Sequence, residues 1–352
     1  MSIKITGTGS IIPKIKENNS RFINSSFYDI NGDKIKLNNK EIIKKFNSIT
    51  GIKNRRYVRS DQKSSDIAIQ ASKIAIKDSG INKEEIDYII LAHNIGDITF
   101  NSNQVDILPS VASRVKSGLE IINPSCVAYD IIFGCPGWLE GVIQASAFIK
   151  SKIAKTCLII GSETLSRVLD KSDRDSMIYA DGAGAAIIQT SNEKGGILSH
   201  KTATYTSNFE SSFIYYGNSN KKSVKNTKYI KMQGRKVYEF ALKNVPIAMK
   251  ECLDFSKVPI EKIKKIFIHQ ANQKMDEAII NRFYKLYNKK TPDKILPMNI
   301  VDFGNSSVAT IPTLFDLTIK KSYNNHYLKT GDHILFASVG AGMNINALTY
   351  QI

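Results

Sequence analysis

Phe133-Gly134-Cys135-Pro136-Gly137-Trp138 joins two segments of opposite character. Ahead of it, Val127-Ala128-Tyr129-Asp130-Ile131-Ile132 is apolar and β-prone apart from one Asp. Behind it, Leu139-Glu140-Gly141-Val142-Ile143-Gln144-Ala145-Ser146-Ala147-Phe148-Ile149 holds strong helix formers and few charges before Lys150. Pro136 suits a first helical position, where its missing N–H and fixed φ cost nothing. The helix it opens is apolar on nearly every face, which predicts a buried helix. Cys135 therefore falls on a strand-to-helix turn at the positive end of a helix dipole. That placement predicts a lowered thiol pKa and a usable nucleophile. A structural buried cysteine is the plainer alternative.

The 352 residues, 42% hydrophobic, suffice for one large core or two moderate ones. Cys126, Cys135, Cys157 and Cys252 form no CxxC pair and no metal-ligand spacing, so they read as reduced thiols in a cytoplasmic protein. No apolar run approaches a membrane span, and Met1-Ser2-Ile3-Lys4-Ile5 lacks a signal-peptide core. The net charge of +17 is mostly Lys scattered through a chain rich in Asn and Ile. Without an arginine-rich block or basic stretches interleaved with aromatics, it argues against nucleic acid as a partner. It suits an acidic one, which a positive field steers in.

From the N-terminus, Ile3-Lys4-Ile5-Thr6-Gly7-Thr8-Gly9-Ser10 reads as a short strand ending in a glycine turn. Residues 13–40 are polar and irregular, with a small hairpin turn at Asn31-Gly32. Thr50-Gly51-Ile52-Lys53-Asn54-Arg55-Arg56-Tyr57 reads as a loop with a basic cluster. Ile67, Ala71, Ile74 and Ala75 fall at helical spacing, with Ser65 placed to cap the start. A strand follows over Tyr88-Ile89-Ile90-Leu91-Ala92.

The second half repeats the first. Glu84-Glu85-Ile86-Asp87-Tyr88-Ile89-Ile90-Leu91 and Glu261-Lys262-Ile263-Lys264-Lys265-Ile266-Phe267-Ile268 share one pattern, each after a helix-like segment (65–79 and 237–253). Gly182-Ala183-Gly184-Ala185-Ala186-Ile187 is echoed by Gly340-Ala341-Gly342-Met343-Asn344-Ile345. The expectation is a duplicated α/β unit in a layered architecture, divided as 1–192 with the cysteine and 193–352.

Three further stretches sit where α/β folds put their sites, at strand ends and the turns after them. His269-Gln270-Ala271-Asn272 follows a buried strand, Gly304-Asn305-Ser306-Ser307 precedes a helical small-residue segment, and Ser338-Val339-Gly340-Ala341-Gly342 is a glycine turn. Plainer readings are a core histidine, an Asx turn at Asn305 and an ordinary tight turn.

Together these stretches resemble the thiolase-fold condensing enzymes, and most closely β-ketoacyl-acyl-carrier-protein synthase III. The resemblance runs over nearly the whole chain. It also takes in Thr50-Gly51-Ile52, Gly161-Ser162-Glu163-Thr164-Leu165-Ser166-Arg167, Asp173-Arg174, Ala180-Asp181-Gly182-Ala183-Gly184 and Met232-x-Gly234-x-x-Val237-Tyr238. It implies two similar halves in a five-layered αβαβα arrangement, a homodimer, and a Cys-His-Asn site of Cys135, His269 and Asn305. The implied reaction is a decarboxylating Claisen condensation of an acyl thioester with malonyl-acyl-carrier protein. A thiolate holds the acyl group, and backbone N–H groups of Cys135 and Ala341 stabilise the oxyanion. His269 and Asn305 donate to the enolate left by CO₂. Coenzyme A or phosphopantetheine thioesters are the substrates, and neither step needs a metal or redox cofactor. The donor side is implied at Arg174, Asn272, Gly234 and Tyr238, the acyl pocket at Leu108 and Trp138, and the carrier contact at Lys274.

The chain departs from the family where the donor binds. Lys45 stands in place of a tryptophan that stacks on adenine, Ile49 in place of an arginine, Leu108 in place of a gating Phe, and Pro136-Gly137-Trp138 follow the nucleophile. These changes leave the reaction type intact and the acyl donor open, so a specialised priming ketosynthase is the alternative. Papain-like peptidases share the order Cys, His, Asn, but their local cysteine signature is missing. A non-catalytic subunit would have lost the nucleophile.

Overall fold

The computed structural model describes residues 2–102 and 104–352. Its first half runs β1 (Ser2–Ile11), β2 (Ile15–Asn18), α1 (Asn39–Thr50), β3 (Asn54–Tyr57), α2 (Ser64–Ser79), β4 (Tyr88–Ala92), α3 (Val111–Gly118), β5 (Val127–Ile131), α4 (Gly137–Lys150), β6 (Thr156–Thr164) and β7 (Asp181–Ser191). The second runs β8 (Gly196–Thr204), β9 (Ile214–Asn218), β10 (Lys228–Met232), α5 (Gly234–Ser256), β11 (Ile263–Ile268), α6 (Gln273–Lys285), α7 (Ile300–Phe303), α8 (Thr310–Lys321), β12 (His333–Gly340) and β13 (Asn344–Gln351).

One sheet has the order β1-β7-β6-β4-β5 and the other β8-β13-β12-β11. In the first, β4 is parallel to both β6 and β5. In the second, only the β11–β12 pair is parallel. Laid side by side the two orders agree strand for strand, which is the duplication expected from the sequence. Where a partner of β5 would lie, Ile266 N–H donates to Ile295 O at 2.9 Å. The echo of Gly182–Ile187 in Gly340–Ile345 is displaced along the fold. The first run lies within β7, whereas the second is the tight turn from β12 into β13.

The apolar character of α4 has its reason in the middle layer. Leu139 and Val142 of α4 and Leu314 and Phe315 of α8 share one cluster with Ile90 and Ile159 of the first sheet and Phe267 and Phe336 of the second. A helix between two sheets has no solvent face, and each such side chain contributes about 1.5–3 kcal/mol by leaving water. On the outside, α2 and α3 cover the first sheet, while α5 and α6 cover the second. The five layers follow.

Four local expectations change. Gly7 and Gly9 form no turn; they lie inside the ten-residue β1, where an added Cβ would meet Ala75 O at 2.5 Å and Ala71 O at 2.3 Å. They are glycine because α2 lies directly on the strand. Residues 50–57, read as a loop with a basic cluster, instead end α1 and form β3, which carries Arg55. Arg55 is fully buried in β3 and donates to Met177 O (2.9 Å), Glu17 O (3.3 Å) and Asn19 Oδ1. Ser65 does not cap α2, since its N–H and hydroxyl both donate to Asp97, at 2.8 and 2.7 Å. Trp138 points into the middle layer, 1% exposed and edge-on to Phe336 at 6.2 Å.

Asp276 on α6 is fully buried, and neither carboxylate oxygen has a partner among the described residues. Burial holds its pKa well above the usual carboxylate range, with Glu277 adding to the rise. A raised folded pKa means that the unfolded chain ionises first. Stability is therefore full below the unfolded value near 4 and falls as pH rises. Asp276→Asn is expected to gain about 1 kcal/mol or more over wild type at pH 7.5 relative to pH 4, read from urea melts. Parallel stability–pH curves for the two proteins would contradict this.

Candidate active site

The carboxyl ends of the strands supply the site. Cys135 follows β5, His269 follows β11, and Ala341 follows β12. Asn305 precedes α8 as Cys135 precedes α4, so the duplication brings two equivalent helix entrances to one place. Cys135, His269, Asn305 and Ala341 line a single cavity of about 190 Å³, walled mainly by apolar side chains such as Ile95, Ile214, Ile230 and Val339.

Two glycine turns hold the cysteine against Ala341. Gly134 has φ +68°, and a Cβ there would meet Ala341 N at 2.6 Å. From the other side, a Cβ on Gly340 would meet Cys135 N at 2.3 Å. Both approaches are backbone on backbone, open to glycine alone. The Cys135 N–H has no hydrogen-bond partner among the described residues, which leaves a donor free at the cavity.

The expectation of a lowered thiol pKa fails for the resting site. Burial pushes the Cys135 thiol up to about 12, and the nearby Glu163 carboxylate adds to the rise. A hydrogen bond from the Ser307 hydroxyl, 3.3 Å from Sγ, works the other way. Desolvation of the thiolate comes from tertiary packing of both halves around the cavity, which a local helix-dipole argument omits.

His269 is buried, and burial lowers its pKa to about 4, partly offset by a contact with the Ser307 backbone. The imidazole is thus neutral at physiological pH and carries one N–H to donate. Its Nδ1 has no partner among the described residues. Asn305 makes the Asx turn after all, with Oδ1 accepting from Ser307 N–H at 2.7 Å. That bond fixes the amide and leaves Nδ2, a donor, for the cavity.

A second cavity of about 370 Å³ adjoins the first, the two sharing Met232, Val237, Ala271 and Met275. Arg174, Asn272, Gly234 and Tyr238 line it, together with Lys45 and Asp175. Lys274 is exposed beside Asn272 and Met275. Leu108 reaches neither cavity; it is 89% exposed. Trp138, committed to the middle layer, lines neither as well.

Sequence reasoning passed over Asn94, Glu163 and Ser307. Asn94 follows β4 by the same strand-end rule that singled out His269 after β11, so a signal existed. Ser307 and Glu163 lie inside stretches already noted, but their roles depend on contacts between the halves. Among the described residues no group of His, Cys, Asp and Glu forms a metal cluster, and no helix is long and apolar enough to cross a membrane.

Two family models match the chain. Residues 129–206 match the model described as 3-oxoacyl-[acyl-carrier-protein (ACP)] synthase III, and residues 253–352 match its C-terminal part. β-Ketoacyl-[acyl-carrier-protein] synthase III of Ehrlichia ruminantium is 31% identical over 97% of this chain and 96% of its own. The enzyme of that name from Neisseria gonorrhoeae is 31% identical over 99% and 98%. The crystal structure of 3-oxoacyl-[acyl-carrier-protein] synthase III from Aquifex aeolicus superposes with TM-score 0.81 at 29% identity, covering both chains fully. With both parts of the family model matched and relatives of this identity spanning nearly its full length, the chain belongs to the 3-oxoacyl-acyl-carrier-protein synthase III family, with that family's thiolase-like fold.

Proposed function

We propose that this protein forms a carbon–carbon bond by decarboxylating Claisen condensation, with Cys135 as the acyl carrier and malonyl-acyl-carrier protein as the acceptor. The carrying observation is the convergence of Cys135, His269, Asn305 and Ala341 on one cavity entered from a second one. In the first half-reaction Cys135 sulfur attacks the thioester carbonyl. The oxyanion sits against the N–H groups of Cys135 and Ala341, the donor's thiolate leaves, and the thiol proton goes with it. In the second, the malonyl thioester loses CO₂. Its enolate oxygen accepts from His269 and Asn305 while the carbanion carbon attacks the acyl-cysteine carbonyl. The tetrahedral adduct collapses to the 3-oxoacyl thioester, the Cys135 thiolate leaves, and one proton from solvent restores the thiol in place of the one lost with the donor. Both half-reactions balance with coenzyme A or phosphopantetheine thioesters and no further cofactor.

The donor arm lies along Arg174, Gly234, Tyr238 and Asn272, and Lys274 beside the entrance receives the acidic carrier. The working unit is a homodimer. β5 is an edge strand, and Val127, Ile132, Ile107 and Leu108 are exposed apolar side chains. A gating role for Leu108 belongs to that assembly, because within one chain the residue faces away from the cavity.

Lys45 offers no flat face for an adenine, so Arg174 stacks from one side only. Asp175 adds a carboxylate 4.0 Å from Arg174 Nε, and burial with Asp173 beside it raises its pKa to about 6. Where ionised, it is unfavourable to the nucleotide phosphates. Intact-mass measurement of Cys135 acylation from matched coenzyme A, pantetheine and carrier thioesters tests both points. Wild type is expected to gain the acyl mass and Cys135→Ala to gain none, with the pantetheine donor within about a hundredfold of coenzyme A, or about 2.7 kcal/mol. An adduct on Cys135→Ala refutes the nucleophile. A coenzyme A advantage beyond that ratio refutes the reading of Lys45.

A further inference from the structure

Ser307 touches all three groups of the site. Its N–H donates to Asn305 Oδ1 at 2.7 Å, its backbone contacts the His269 ring, and its hydroxyl lies 3.3 Å from Cys135 Sγ. It does so at φ +52°, a left-handed conformation that residues other than glycine seldom adopt. Such an outlier persists only where surrounding contacts hold it, and here those contacts are the reacting groups.

Donor accounting fixes the direction of the hydroxyl. Glu163 is fully buried, and its Oε1 accepts the N–H of Asn94 at 2.7 Å and one hydrogen of Asn94 Nδ2. The other hydrogen of Nδ2 goes to Ser307 Oγ at 2.8 Å. Ser307 Oγ already accepts, so its single hydrogen is left for the sulfur. A donor aimed at sulfur favours thiolate over thiol. We propose that Ser307, oriented by Asn94 and Glu163, is the hydrogen-bond donor that stabilises the Cys135 thiolate, with Asn94 and Glu163 acting as positioning residues. The inference rests on Cys135 being the nucleophile.

The ionisable groups facing the sulfur are Glu163, His269 and Tyr179. None serves as the donor in its place. Among the described residues only Ser307 Oγ makes a hydrogen bond to the sulfur. The buried His269 is neutral and offers no cationic partner, and Glu163, whose pKa burial raises to about 7, opposes the thiolate where it is ionised. The amide and hydroxyl between Glu163 and the sulfur pass on orientation without bringing the charge closer.

The test is the rate of Cys135 alkylation by iodoacetamide against pH in the full-length protein, followed by intact mass. Ser307→Ala is expected to alkylate about tenfold more slowly than wild type at every pH below the inflection, equivalent to a rise of about one pH unit. Ser307→Gly, which accepts φ +52° without strain, is expected to match it. Asn94→Ala moves the same way, because the hydroxyl is then free to turn from the sulfur. Backbone contacts to Asn305 and His269 survive these Ser307 substitutions, so the profile isolates the hydroxyl. Superimposable profiles for wild type, Ser307→Ala and Ser307→Gly overturn the proposal. Failure of the nucleophile assignment shows separately, as wild-type protein alkylated at Cys135 that still condenses.

Discussion

Replacing His269 by alanine is expected to leave Cys135 able to take up an acyl group while condensation slows about a thousandfold. The separation follows from where the two charges develop. During acylation the oxyanion forms beside the backbone N–H groups of Cys135 and Ala341, which the substitution does not remove. During decarboxylation the charge moves to the acceptor's thioester oxygen, where a neutral imidazole N–H and the Asn305 amide are the donors. Removing one preorganised donor of this kind costs about 10²–10³ in rate. Because burial holds the His269 pKa at about 4, this residue is expected to add no pH dependence to decarboxylation between pH 6 and 8, and a step near 7 would report Glu163, whose pKa burial raises to about 7. Protonation of His269 would enter only well below that range. Stopped acylation by intact mass and CO₂ release from the malonyl thioester read the two steps apart. Asn305→Ala is expected to act in the same direction, and the double variant to lose less than the product of the two, since the donors share one oxygen. A His269→Ala protein that condenses at the wild-type rate would remove the residue from the reaction.

The parts legible in the sequence were those set by short-range pattern. Strand ends after β5 and β11 and the helix entrance at Asn305 could be placed because apolar runs, glycine turns and small-residue helices are local features. The repeated strand pattern located the duplication, and the duplication in turn explains why Cys135 and Asn305 meet. Misplaced features were non-local. Arg55 was read within a loop, and its burial against Asn19 and Met177 depends on residues distant in sequence. Gly7 and Gly9 looked like a turn because nothing nearby in sequence announces the helix packed on them. Trp138 stood next to the nucleophile, yet on a helix neighbouring residues point to different sides. The thiol of Cys135 was expected to acidify from its helix alone, whereas desolvation by the packed cavity walls dominates. Ser307 is 172 residues from Cys135 and Asn94 is 213 from Ser307, so no window of sequence contains their contact.

A methyl group at Gly340 is expected to damage acylation more than any other change of comparable size. Gly340 has an extended backbone, φ −162°, that any residue adopts, so conformation is not the obstacle. Space is. An added Cβ would lie 2.3 Å from Cys135 N, 2.7 Å from Pro136 Cδ and 2.9 Å from Cys135 Cβ, all of them backbone, ring or nucleophile-bearing atoms. None of these atoms belongs to a side chain able to swing away, and Pro136 and Gly137 behind them lead into α4, which is locked between the sheets. The cysteine turn must therefore shift, and with it the N–H of Cys135 relative to that of Ala341. Separating an oxyanion pair by even part of an ångström removes most of one donor's effect. Gly340→Ala is thus expected to slow Cys135 acylation at least about a hundredfold, or roughly 2.7 kcal/mol in the barrier. A melting curve retaining a single cooperative transition would show that the loss lies in the site and not in the fold. Acylation at the wild-type rate would mean that the two turns do not form the oxyanion site, and the Cys135–Ala341 pairing would have to be abandoned.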